Sequence, residues 1–211
     1  PLHSLLTYSP TLLLRKMGFD PLHAVQIVTA GIAALYVLTV YALLRVIGCS
    51  RMDACVFSLL GACSTAALFW LTVPESYGLG ATSIAIGLLL AATATHRRQA
   101  LWKYVAVSAL TLSITVTNWM VGILATLTAH TLRRAVIITL IAFSLVALLW
   151  GVEKQIFPTA VFFVGDREEG RYLFWPTITR ILSVVDTLFF HTMVSPPVTV
   201  AGTTGLGWPL L

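Results

Sequence analysis

Apolar residues run in blocks about as long as a bilayer is thick, and most polar residues before position 151 fall in short links between them. A helix needs about 20 predominantly apolar residues to cross the hydrocarbon core. Residues 23–47, 53–72 and 77–95 meet that length, and 135–150 comes close. Between the last two, residues 104–116 and 119–132 form shorter apolar runs separated by Thr117-Asn118. The pattern predicts an all-α, polytopic integral membrane protein with about six transmembrane or re-entrant helices. Residues 1–20 are too short and too polar to span. Leu5, Leu6, Leu12, Leu13 and Met17 keep a loose helical spacing that Pro10 breaks, which predicts an interfacial helix with Arg15 and Lys16 at head-group level.

One link organises the rest. Residues 69–80, FWLTVPESYGLG, set a Pro-Glu pair between two spans. Pro74 lacks a backbone donor and pushes Val73 out of the α region, so one span stops there and the next begins near Glu75. Glu75 is thereby held at a membrane boundary. A carboxylate at that depth needs water or a partner, which makes Glu75 a candidate for chemistry. The alternative is a hairpin turn whose Glu favours the following helix N-terminus.

Charge placement orders the spans. Arg45, Arg51, Arg97, Arg98, Lys103, Arg133 and Arg134 sit in three links, while the links at Glu75 and Asn118 hold no basic residue. Taken as one helix, 103–132 would run about 45 Å, well past the ~30 Å core. All three basic links share the cytoplasmic side only if the chain turns back near Asn118. The reading is therefore a pair of short helices whose polar hinge, TVTNW, lies on the same side as Glu75. A single helix kinked by back-bonding Thr side chains is the alternative.

Composition agrees, with 58% hydrophobic and 10% charged residues and a mean hydropathy of +0.91; soluble domains carry roughly 25% charged residues. Basic residues do not form a stripe with interleaved aromatics, so nucleic acid is not an expected partner. Cys49, Cys55 and Cys63 show no metal or disulfide spacing and read as small buried hydrophobes. No metal site is expected among the protein's own residues. Residues 151–211 regain charges and prolines and read as a non-cytoplasmic loop or interfacial-helix segment, set apart from a helical domain over 1–150. Within it, 178–190 reads as a short amphipathic helix carrying Arg180 and Asp186, and GTTGLG lacks the context of a phosphate loop.

With these elements placed, the chain resembles the polytopic GT-C glycosyltransferases, in particular bacterial relatives of protein O-mannosyltransferases and of lipopolysaccharide sugar transferases. The resemblance rests on PLHSLLTYSPTLLLRKMG, LYVLTVYALLRVIGCSR, FWLTVPESYGLG and ITVTNWMVGILATL, spread over roughly 1–150. It implies a polyprenyl-phosphate sugar as donor and an acceptor glycan, lipid or protein. It also implies a bacterial plasma membrane, an active side that is non-cytoplasmic, and possible use of a divalent metal. The family keeps its catalytic Asp ahead of a His-Pro that leads into the equivalent of PLHSLL. On that pattern Pro1 matches the Pro, and the sequence reads as a fragment lacking the catalytic base and the first helix.

Such transfer requires groups that orient a sugar and hold a leaving phosphate. The candidates for the sugar are Glu75, Tyr77, Asn118, Trp119, His3 and Tyr8. Those for the lipid phosphate are Arg15, Lys16, Arg171 and Arg180, with Arg167 also available. Two other classes compete. A transporter or flippase-like carrier would place a substrate site at Glu75 and the broken 104–132 pair. A non-catalytic membrane subunit would use Gly31, Gly61, Gly80 and Gly87 as helix contacts. A cleft opening toward Glu75 favours the enzyme, and tight packing around it favours the subunit.

Overall fold

The structure, a computed structural model, describes residues 2–158, 162, 177–179 and 182. The chain divides into two compact units, 1–163 and 164–211, and the account below concerns the first. Arg167, Arg171, Arg180, Asp186 and the GTTGLG stretch lie outside the described residues.

Among the described residues eight helices follow in order: α1 (His3–Lys16), α2 (Pro21–Val46), α3 (Arg51–Ala62), α4 (Thr65–Thr72), α5 (Ser76–His96), α6 (Leu101–Ile114), α7 (Val116–Ala129) and α8 (Leu132–Ile156). Among the described residues all regular structure is helical. Three helices, α2, α5 and α8, are long and apolar enough to cross a membrane, and α3 with α4 makes a fourth if the bent pair counts as one span. Their outward faces are apolar: Ile137, Leu140, Ile141, Leu145 and Leu148 of α8 are all exposed. A continuous apolar surface of that kind suits lipid and is costly in water.

Sequence signals set most of the ends. Asp20 caps α2 by accepting from Leu22 N at 3.1 Å, with Pro21 in the first helical position. Val73, ahead of Pro74, adopts an extended conformation and ends α4, and α5 starts directly after Glu75. Elsewhere the structure departs from the expected boundaries. The expected span over 53–72 is bent by 69° between α3 and α4. The cause is Ser64, whose hydroxyl leaves the helical register to accept from Ala67 N and so begins a new helix. Pro10 does not break α1, which runs through it. The expected last span over 135–150 continues to Ile156, so Glu153 is helical and buried rather than part of a loop. Cys55 and Cys63 are exposed instead of buried, on a helix pair whose outer face is apolar, where a thiol is no anomaly.

Helices α6 and α7 form an antiparallel hairpin. Tyr104 near the start of α6 meets His130, just beyond the end of α7, at 4.6 Å between rings, and Trp119 Nε1 donates to Ser108 Oγ at 3.0 Å. The turn falls at Thr115, whose hydroxyl caps α7 by accepting from Asn118 N at 3.1 Å. Each arm has 14 residues, about 21 Å at 1.5 Å per residue, which is less than a bilayer core. Asn118 lies beside Gly80, little more than one turn into α5, so the hairpin turns at the Glu75 end.

Helix α8 is the strut behind this hairpin. Its Ile138 packs with Tyr104, and its Ala142 and Val146 pack with Ala109 and Leu112 of α6. Leu2, which leads into α1, joins the same cluster. Farther along α8, Glu153 meets Leu5, and just past its end Phe157 meets Tyr8. Helix α6 and then α1 therefore lie in succession along α8, with α1 occupying the space above the short hairpin. Leu2, just ahead of α1, is buried in the bundle, the helix itself has no fully buried residue, and its basic end is exposed.

Glycines mark the tightest helix contacts. A Cβ on Gly122 would fall 2.6 Å from Thr111 Oγ1 and 2.8 Å from the Ser108 backbone. Gly87 and Gly80 are similarly crowded, whereas Gly31 and Gly61 have open space where a Cβ would stand and are not close helix contacts. Gly122→Ala is therefore expected to destabilise the protein by about 1–3 kcal/mol, while Gly31→Ala costs nothing by contact. Thermal unfolding of both variants in detergent checks the contrast.

Candidate functional site

A cleft of about 430 Å³ opens between α1, the first half of α2 and the Pro74-Glu75 turn. Its α1 wall carries His3, Ser4, Thr7, Tyr8 and Thr11, positions three and four apart that share one helix face. Val25, Val28 and Ile32 of α2, with Leu71 and Val73, form an aliphatic wall opposite. The α1 side thus offers hydroxyls and an imidazole, and the other offers hydrocarbon interrupted by the Thr29 hydroxyl.

Glu75 borders this cleft with its side chain exposed. It occupies the N-cap position of α5 yet makes no capping hydrogen bond. Among the described residues its carboxylate has no hydrogen bond or ion pair, so it is free to meet a ligand. Gly78 packs beside Ile32 and Leu71 at the base of the turn, where a Cβ would make ordinary contact with their side chains at 3.6 and 3.7 Å.

His3 is half-buried. Burial holds its pKa below the usual 6.5, against the opposing pull of the Glu75 backbone carbonyl and carboxylate. At neutral pH the imidazole is uncharged. Its Nε2 has no hydrogen-bond partner among the described residues. Tyr8 stands at the rim, 43% exposed, with its ring edge-on to Phe157 at 5.3 Å. The hydroxyls of Thr7, Thr11 and Thr29 donate back to carbonyls one turn earlier, at 2.9, 2.8 and 2.9 Å. That fixes their hydrogens and leaves their lone pairs turned outward as acceptors.

The structure thus brings together His3, Tyr8 and Glu75 and places the other candidates elsewhere. Tyr77 is 54% exposed and packs on Trp70, 4.1 Å between rings, outside the cleft lining. Asn118 faces Gly80. Trp119 is a packing residue, stacked on Phe143 at 5.8 Å and tied to Ser108. Arg15 and Lys16 are in the last turn of α1, about 18 Å along the helix from His3 at 1.5 Å per residue. No Lys or Arg lines the cleft among the described residues, and no three His, Cys, Asp or Glu gather there as metal ligands.

The group that sequence reasoning passed over is Glu153. It is fully buried, and its Oε1 accepts from Leu5 N at 3.1 Å. Its Oε2 has no partner among the described residues. A sequence signal exists: the buried stripe of α8 runs Ala135, Ile138, Ala142, Val146 and Glu153, a helical repeat in which Glu153 falls two turns beyond Val146 on the same face.

No protein family, curated protein or solved structure matches the chain. The site is defined by its own geometry.

The lowered pKa of His3 gives a pH dependence with a definite sign. The unfolded chain, with an ordinary imidazole, takes up a proton near pH 6.5 more readily than the fold does. Stability is therefore complete above that value and declines as pH falls below it. Unfolding measured between about pH 7.5 and about pH 5 is expected to show this decline. His3→Gln is expected to flatten it.

Proposed function

We propose that this is a polytopic membrane protein whose cleft holds the polar head of a lipid-linked sugar, and that it transfers the sugar from a polyprenyl-phosphate donor to an acceptor on the non-cytoplasmic side. The observation that carries this reading is the two-sided cleft at Glu75. Its size falls among small-molecule sites, which run about 300–1,000 Å³. Its acceptor-rich α1 face suits sugar hydroxyls, and its aliphatic wall suits the first isoprenes of a tail. A carboxylate left free of capping at the mouth is better explained by a ligand than by a turn, because Pro74 already ends α4.

In this reading Glu75 orients the sugar, Tyr8 stacks at its edge, and the neutral His3 accepts a hydroxyl proton or a hydrogen bond. The lipid phosphate needs cationic or donor groups. Arg15 and Lys16 lie at the far end of α1, outside the cleft lining, and the other candidates named for that role, Arg171 and Arg180, lie outside the described residues. The side of action follows from charge. Arg45, Arg97, Arg98, Arg133 and Arg134 flank the helix ends opposite Glu75, and basic ends face the cytoplasm. Labelling of intact cells from outside is then expected to modify Ser76→Cys and to spare Gln99→Cys, and the reverse pattern would overturn the orientation.

The chemical test is Glu75→Gln in the intact protein. Gln keeps the size and most hydrogen bonds, so a merely structural Glu tolerates the change within about 1 kcal/mol. A Glu that orients the donor loses on the order of a hundredfold in transfer rate at unchanged expression. Near-normal turnover removes Glu75 from the site. Tight donor binding without any transfer moves the protein to a carrier or accessory subunit.

A further inference from the structure

We infer that Glu153 is a positioning residue for the cleft: from α8, its carboxylate holds the first turn of α1, and with it the wall that carries His3, Ser4, Thr7 and Tyr8. The functional part of this inference rests on reading the cleft as a donor site, whereas the positioning itself does not.

Four observations converge. The first turn of α1 has no capping side chain and no acidic residue of its own, so its backbone donors must be satisfied from elsewhere. Leu2 N finds Ser113 O at the end of α6, at 2.6 Å. Leu5 N finds Glu153 Oε1, at 3.1 Å across 148 residues of sequence. One turn farther, Tyr8 of α1 meets Phe157 just past the end of α8, so the two helices touch again on the side that lines the cleft.

Glu153 is also an expensive way to satisfy one amide. A fully buried carboxylate with one oxygen unpartnered adds less to stability than a well-packed apolar residue of similar size. What it supplies is direction. A carboxylate against a helix N-terminus fixes where that helix starts, and the start of α1 sets which of its residues face α2 and Glu75. Ser4 and Thr7 reach the cleft because Leu5, between them, is tied back to α8.

The experiment compares wild type, Glu153→Gln and Glu153→Leu in lipid nanodiscs by hydrogen exchange across α1 and by the affinity for farnesyl phosphate. Gln retains an acceptor oxygen, and Leu retains the bulk without one. The expected result is α1 exchange within about twofold of wild type for Gln and about tenfold faster for Leu. Exchange elsewhere in the bundle stays unchanged. Farnesyl phosphate affinity falls about tenfold in Leu and is restored in Gln. Wild-type exchange in a folded Glu153→Leu overturns the inference, as does a Gln variant that exchanges like Leu. If the Leu variant does not fold, Gln alone decides: exchange like wild type supports the acceptor role, and a tenfold rise overturns it. If farnesyl phosphate binds none of the proteins while the exchange pattern holds, the donor reading fails and the positioning role stands.

Discussion

A helix that begins inside a bundle needs partners for its first backbone N–H groups, and this requirement governs the Glu75 end of the molecule. In α1 two of those groups, Leu2 N and Leu5 N, are met by a carbonyl at the end of α6 and by the carboxylate of Glu153. Each orphaned amide in an apolar interior costs several kcal/mol. Helix α1 therefore cannot slide or rotate freely, because a shift of one residue would unpair both donors. The wall of the cleft inherits its register from this end of the helix.

The cleft itself follows from a mismatch of lengths. Helices α2 and α8 have 26 and 25 residues, whereas the arms of the α6–α7 hairpin have 14 each. Alongside longer neighbours the hairpin stops short, and the chain fills the gap with α1. That filling is incomplete. Helix α1 packs along α2 and touches α8 through Leu5–Glu153 and Tyr8–Phe157, and the cleft remains between its polar face, part of α2 and the Pro74-Glu75 turn. Hydroxyl-bearing residues face that space, and Leu2, at the head of the same helix, packs in the apolar cluster.

Much of this was legible from the chain. Pro74 marked a boundary that α4 and α5 respect almost to the residue, because a missing donor and a forbidden α conformation act locally and need no tertiary context. The polar hinge of the hairpin was legible in kind and displaced in place: the turn falls at Thr115, where a hydroxyl caps α7, and Asn118 is already helical. Ser64 stands unmarked inside the expected span over 53–72, yet it caps a helix where the pair bends. A serine's choice between back-bonding and capping depends on neighbours that a linear reading does not contain. His3, Tyr8 and Glu75 were named for their position near a boundary and do share a cleft. Asn118 and Trp119 were named for the same reason and pack against Gly80, Ser108 and Phe143 instead. Depth alone cannot tell a cleft from a helix contact.

Glu153 shows the converse limit. Read with the charges that follow it, it looked like the start of a polar segment; read with Val146 and Ala142 before it, it continues a buried stripe. Glu75 and Glu153 lie at comparable depth. Glu75 is separated from the basic end of α5 by 21 helical residues, and Glu153 from Arg134 by most of α8, in each case about 30 Å at 1.5 Å per residue. Their environments differ: one is exposed and unpaired, the other sealed and bonded to a helix start. A sealed carboxylate gains about 1.5–3 kcal/mol from a hydrogen bond and up to ~2 kcal/mol from a helix N-terminus. Those gains are set against a desolvation cost of several kcal/mol. The balance is near zero, so stability does not account for Glu153. Placement of α1 does, and it leaves Glu75 as the carboxylate that faces whatever enters the cleft.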